Sequence, residues 1–216
     1  NRELYMEQIT PFIDKPFVKV ITGIRRCGKS VVLRLIREEL LRRGVSEDYI
    51  IYMNFESFEW IDMKEAKALY AHIREATKAP GKYYILLDEI QEVTDWEKAV
   101  NAFLVDLDVD IYVTGSNSRL LSSEFSTYLA GRYVAFHIMT LSFREYLLFH
   151  DLPLTISVSD RKTEFLKYLR MGGFPAIHTA NYDYNAIYKI VYDIYSSVIL
   201  RDTVQRHSIR NVEMLE

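Results

Sequence analysis

A single cysteine, Cys27, stands in 216 residues, so the chain can form no internal disulfide. No stretch approaches the ~18 consecutive apolar residues that a membrane span needs. The opening Asn1-Arg2-Glu3 is too polar to be the core of a signal peptide, and the expectation is a cytoplasmic protein with no membrane partner. A basic excess is also missing. With 27 Lys and Arg against 30 Asp and Glu, the net charge is -3 and the pI about 6.0, whereas a domain built to grip phosphate backbones is usually basic. Division at residue 140 uncovers no hidden basic half, so nucleic acid is not the default partner. His72, His137, His150, His178 and His207 show no metal-ligand spacing with Cys27, which argues against a zinc site. Repeats and low-complexity tracts are absent. What remains is an ordinary globular composition, 49% hydrophobic and 26% charged, long enough to bury its own core in one or two domains.

Five short apolar runs read as strands: Phe17 to Thr22, Tyr49 to Asn54, Tyr83 to Asp88, Asp110 to Thr114 and Tyr133 to Ile138. Between them, 29–43, 63–77 and 95–107 have helical length and apolar residues near 3.6 spacing, as in Leu33, Ile36, Leu40 and Leu41. Alternation of this kind predicts a mostly parallel sheet with helices on both faces. After about residue 141 the pattern turns helical, with helices expected at Phe143 to Phe149, Arg161 to Met171 and Asn185 to Arg201. Gly172-Gly173-Phe174-Pro175 interrupts them as a turn or a hinge. The expected division is a core over 1–140 and a helical lid over 141–216.

The chemistry-bearing pattern is Gly23-Ile24-Arg25-Arg26-Cys27-Gly28-Lys29-Ser30, which fits the phosphate-loop spacing of Gly, four residues, Gly, Lys and Ser or Thr. It follows an expected strand directly and runs into an expected helix, continuing through Val31. Glycines there let backbone N–H groups turn toward phosphates, and a helix N-terminus adds its positive dipole end. Lys29 would reach the β- and γ-phosphates, and the Ser30 hydroxyl would coordinate Mg²⁺. Ile85-Leu86-Leu87-Asp88-Glu89 ends an apolar run in two carboxylates, the Walker B arrangement. Asp88 would hold Mg²⁺ through water, and Glu89 would activate the attacking water. Tyr112-Val113-Thr114-Gly115 leads into Ser116 and Asn117, polar residues expected beyond a strand end where such sheets bind ligands; Asn117 also suits a helix cap. Cys27 is read as a tolerated loop residue and not as a redox sensor, and the mixed charges of Arg34, Arg37, Glu38, Glu39, Arg42 and Arg43 as a solvated face.

In this order the three elements resemble the AAA+ division of P-loop ATPases, whose sheet order is usually 5-1-4-3-2 with a C-terminal helical lid. The phrases Gly-Ile-Arg-Arg-Cys-Gly-Lys-Ser, Leu-Leu-Asp-Glu-Ile-Gln, Thr-Gly-Ser-Asn-Ser, Leu-Ala-Gly-Arg, Leu-Ser-Phe-Arg-Glu-Tyr and Gly-Gly-Phe-Pro resemble the prokaryotic AAA fourteen family over nearly the whole chain. The resemblance implies ATP or ADP with Mg²⁺ as ligands, and Asn117, then Ser116, as the sensor at the end of the fourth strand. It also implies Arg132, before the fifth strand, as an arginine finger acting on a neighbouring subunit of a homo-oligomer; an ordinary salt bridge is the alternative. Members commonly continue into a winged-helix or nuclease-like region, so a further domain is expected beyond Glu216, and any nucleic-acid binding would belong there.

The expected activity is hydrolysis of ATP to ADP and phosphate, with the nucleotide cycle gating a conformational change. A small-molecule phosphotransferase and a non-hydrolysing nucleotide-binding signalling module are the alternatives. Asp88-Glu89 with a polar strand end suits water as the acceptor, whereas a kinase needs a separate acceptor pocket.

Overall fold

Strand β3, Tyr83–Asp88, is buried at every position, which is why its sequence is apolar without alternation. It lies inside a five-stranded sheet of order β2-β3-β4-β1-β5, with β1 at Val18–Thr22, β2 at Ile50–Asn54, β4 at Val109–Gly115 and β5 at Tyr133–His137. All four pairings are parallel. Read from the other edge, this is the expected 5-1-4-3-2. The edge strands β2 and β5 are only partly buried, as positions with one uncovered side should be. This is a computed structural model, and it describes residues 2–116, 120, 128–155, 157–179 and 182–198.

Seven α-helices are present among the described residues: α1 Glu3–Ile9, α2 Lys29–Arg42, α3 Ala66–Ala76, α4 Trp96–Asp106, α5 Phe143–Phe149, α6 Val158–Met171 and α7 Tyr184–Val198. The chain divides into two units, one of residues 3–23 and 29–138, the other of 1–2, 24–28 and 139–216. In the first, α3 and α4 cover one sheet face, with Leu69, Ile73, Val100 and Phe103 packed with Ile85, Leu87, Ile111 and Val113. Leu33, Ile36 and Leu40 of α2 are fully buried, while Leu41 is 36% exposed, because one residue further is about 100° further round the helix. Helix α1 has only seven residues, too few for its period to be read from sequence.

In the second unit, the phrase Leu-Ser-Phe-Arg-Glu-Tyr proves to be a capping box. Ser142 Oγ accepts the Glu145 N–H at 3.3 Å, and Glu145 Oε2 accepts the Ser142 N–H at 2.9 Å, which fixes where α5 starts. Helix α6 starts three residues earlier than its apolar pattern suggests, because Ser157 caps it through the Asp160 N–H. Gly172 ends α6 at φ +77, a conformation that favours glycine, and the Gly-Gly-Phe-Pro phrase is here a turn. Gly173 has its own reason: a Cβ there would lie 2.4 Å from the Leu141 carbonyl oxygen.

At the amino end of the sheet a charge is buried. Lys19, with no exposed surface, pairs with Asp110, whose Oδ2 also accepts the Tyr112 hydroxyl at 2.8 Å and the Asp14 N–H at 2.9 Å. Burial pulls the Lys19 ammonium below its usual value, and the Asp110 charge offsets part of that. Asp110→Ala should therefore cost about 3–5 kcal/mol, since it strands a buried charge. Unfolding in urea measures this. Adding Lys19→Met should recover most of the loss, and a loss below about 1 kcal/mol would show that the pair behaves like a solvated one.

Candidate functional site

The ends of β1, β3 and β4 meet at the carboxyl edge of the sheet, where register sets Thr22 beside Gly115 and Leu87 beside Val113. Strand β1 ends at Thr22 and helix α2 begins at Lys29, with the six residues 23–28 connecting them. In that connection Gly23, Arg26 and Gly28 have φ of +154, +63 and +104, and the Cys27 N–H donates to the Ile24 carbonyl at 3.3 Å. Such a path is open to glycine and costly for a side-chain-bearing residue such as Arg26. Cys27 is fully buried, Arg25 and Gly28 are half-buried, and Ile24, Arg26 and Val31 are exposed. Ser30 lies half-buried in the first turn of α2.

Lys29 is 4% exposed, and its Nζ lies 3.3 Å from Oε1 of Glu89, itself 8% exposed. Asp88 is fully buried, accepting the Thr114 hydroxyl at Oδ1 and the Tyr52 phenol at Oδ2, the latter at 3.1 Å. Burial first, and then the Asp88 charge and that hydrogen bond, push the Tyr52 phenol up to about 12. The Thr114 oxygen serves twice, since it also accepts the Glu89 N–H at 3.0 Å. Glu89 adopts φ 53 and ψ 48, a left-handed conformation that turns the chain out of β3. The two adjacent carboxylates consequently face different partners, Asp88 the β2 and β4 side chains and Glu89 the start of α2.

Lys29, Asp88 and Glu89 are thus brought together, with Ser116 buried at the same edge. Asn117 lies outside the described residues. Arg132 is not brought there. It precedes β5, which runs parallel to β1, so about 16 Å of strand separates it from the carboxyl edge of its own sheet. It is exposed and donates to Asn101 Oδ1 at 3.1 Å. Tyr52 and Thr114 went unmarked by sequence reasoning. Thr114 had a signal, standing two residues before Ser116 in the same phrase, but Tyr52 had none, because only strand pairing sets it against Asp88.

The donor chemistry suits a polyphosphate with a hard cation. Lys29 supplies a buried positive charge now neutralised by a carboxylate, a partner that a phosphate oxygen could replace. Asp88 has two of its roughly four acceptor positions occupied, which leaves room for a metal or its water. Among the described residues no group of three or more His, Cys, Asp and Glu could hold a metal, and no helix is long and apolar enough to cross a membrane.

The AAA domain family model AAA_14 matches residues 15–147. An uncharacterized protein of Haemophilus influenzae is 39% identical over 219 residues, covering 100% of this chain and 53% of its own length. The uncharacterized protein MJ1544 of Methanocaldococcus jannaschii is 35% identical over 204 residues, covering 92% of this chain and 44% of its own. The chain spans about half the length of these curated relatives. Among solved structures, the Walker-type ATPase paby2304 of Pyrococcus abyssi superposes with a TM-score of 0.58 at 13% identity, over 93% of this chain and 73% of that one. AMPPCP-bound DnaA from Aquifex aeolicus gives 0.52 at 14%, over 95% and 65%. At such identities these two speak to the fold, an α/β P-loop one.

Proposed function

The chain belongs to the AAA_14 family of AAA domains, and from that premise we propose that it binds ATP with Mg²⁺ and hydrolyses it to ADP and phosphate. The observation that carries the reading is the convergence of Lys29, Asp88 and Glu89 at the carboxyl edge of the sheet, with both carboxylates held in fixed orientations. Ser30 and Asp88 would hold Mg²⁺, the remaining positions coming from nucleotide oxygens and water. Bound there, the ion would neutralise charge on the phosphates. Lys29 binds the β- and γ-phosphates, with the backbone of Gly23 to Val31 following the same chain. Glu89 takes the proton of the attacking water, and either Ser116 or Asn117 orients it. Turnover gates a conformational change, and residues 141–216 act as the helical lid.

Steady-state release of phosphate from Mg²⁺-ATP, measured with and without DNA and across protein concentrations, tests the reading. Turnover that requires Mg²⁺ supports it. Tight binding without turnover would turn the assignment to a nucleotide-holding signalling module, and transfer to an added acceptor in place of water would turn it to a phosphotransferase.

Arg132 enters this reading only through a second subunit, since it stands at the far end of its own sheet. Specific activity should then rise with protein concentration. Arg132→Ala should lower turnover about 10-fold or more with ATP affinity almost unchanged, as expected for a contact made chiefly in the transition state. Activity per chain that is constant over a range where sizing shows only monomer would exclude a finger in trans. Mixing Arg132→Ala with Glu89→Gln subunits offers a second check, because a shared site regains one intact copy.

A further inference from the structure

Beside the carboxyl edge, one buried polar atom has no role in the reading above. Gln91 follows Glu89 by two residues, in the turn Ile90–Glu92, and its Nε2 donates to Glu89 Oε2 at 2.5 Å. Its Oε1 is buried without a hydrogen-bond partner. That orientation of the amide follows from chemistry, because an ionised carboxylate only accepts and so the nitrogen must face it. The carbonyl is pressed against Gly115, where a Cβ would lie 2.1 Å from Oε1. Any other residue at 115 would push Gln91 aside, which gives the glycine of the Thr-Gly-Ser phrase a packing reason.

A buried carbonyl left unpaired destabilises the fold, and an apolar side chain of the same length would avoid that cost. Stability therefore does not explain Gln91. What the amide gains is a second hold on Glu89. Lys29 holds Oε1 at 3.3 Å, Gln91 holds Oε2 at 2.5 Å, and Thr114 Oγ1 holds the Glu89 N–H at 3.0 Å. When a γ-phosphate draws Lys29 away, Oε1 is released while the other two holds persist. A carboxylate held at one oxygen and at its backbone keeps its direction, whereas one held only at its backbone can rotate about its side-chain torsions.

We propose that Gln91 is a positioning residue for Glu89: it keeps the carboxylate on Lys29 in the free chain and keeps the released oxygen aimed at water once nucleotide has taken the lysine. The proposal rests on the ATPase reading, with Glu89 as the base. Gln91 does not touch nucleotide in it and acts only through Glu89.

Gln91→Met, similar in length and lacking the donor, tests this, with Gln91→Leu as a second variant should the first fold poorly. Turnover should fall about 10-fold or more while the ATP Kd stays within about 3-fold, because orientation of the base affects the transition state and not ground-state binding. In a Glu89→Gln background the same change should alter the residual rate less than about 2-fold, since residues that act through one another are not additive. A purely structural defect would weaken binding and add to the Glu89→Gln loss. A crystal structure of the free Gln91→Met protein reads the hold without any activity, and the Glu89 carboxylate should have left Lys29 by more than the 3.3 Å now seen. Wild-type turnover in both variants, additive losses, or an unmoved Glu89 carboxylate would overturn the proposal. If the wild-type chain binds ATP and does not hydrolyse it, the ATPase reading has failed, and the crystal structure alone decides whether Gln91 positions Glu89.

Discussion

Lys29→Ala should weaken ATP binding by about 10- to 100-fold, the equivalent of one strong charge-assisted hydrogen bond lost. The residue is 4% exposed at the first position of α2, so its ammonium has little water to fall back on, and its present partner is Glu89 at 3.3 Å. A phosphate oxygen can replace that carboxylate, so the ammonium would keep a charged partner. ADP lacks the γ-phosphate, so its affinity should fall less than that of ATP. Titration calorimetry with both nucleotides measures the difference, and circular dichroism checks that the variant is folded. The fold has other supports, since α2 is anchored by Leu33, Ile36 and Leu40, all fully buried. Unchanged ATP affinity in a folded Lys29→Ala protein would remove the phosphate-binding assignment altogether.

Glu89→Gln should leave ATP bound at least as tightly and reduce hydrolysis by roughly 10²-fold or more. The amide has the same shape as the carboxylate and cannot take a proton from water. It also carries no charge, so Lys29 loses the partner that competes with phosphate, and any change in affinity should be toward tighter binding. The left-handed backbone at residue 89 is kept, because the N–H to Thr114 does not depend on the side chain. Single-turnover hydrolysis together with nucleotide binding separates the two effects. If this variant turns ATP over at the wild-type rate, the base is another group and the inference about Gln91 falls with it. Weak binding instead would mean that the Glu89 charge is needed to hold the site open.

Much of this site was legible because its signals are local. The phosphate-loop pattern is eight consecutive residues, and Gly23, Gly28, Lys29 and Ser30 fit it by spacing alone, which makes the proposal readable without any long-range contact. Asp88 and Glu89 end a run whose continuous apolarity already marked an interior strand. The sheet order followed from the resemblance, and it places β3 between β2 and β4 as expected. Boundaries were less legible. Phe17, Tyr49 and Ile138 fall outside the strands, and α6 gains three residues from a serine cap that an apolar pattern does not register.

By itself the sequence determined the element types and the parallel sheet, and it singled out the residues proposed to meet phosphate, because periodicity and short motifs depend only on near neighbours in the chain. Tertiary structure alone decided what those residues touch. Asp88 is held by Tyr52, 36 positions away, and by Thr114, 26 positions away, through strand pairing that no local pattern encodes. Gln91 reaches Glu89 because Gly115, on another strand, leaves it room. Lys19 can be buried because Asp110, 91 positions away, arrives beside it. Arg132, adjacent in sequence to a strand of the same sheet, is separated from the site because parallel strands put their first and last residues at opposite edges. Each of these contacts exists only after strand order and register have been set, and those depend on how the whole core packs.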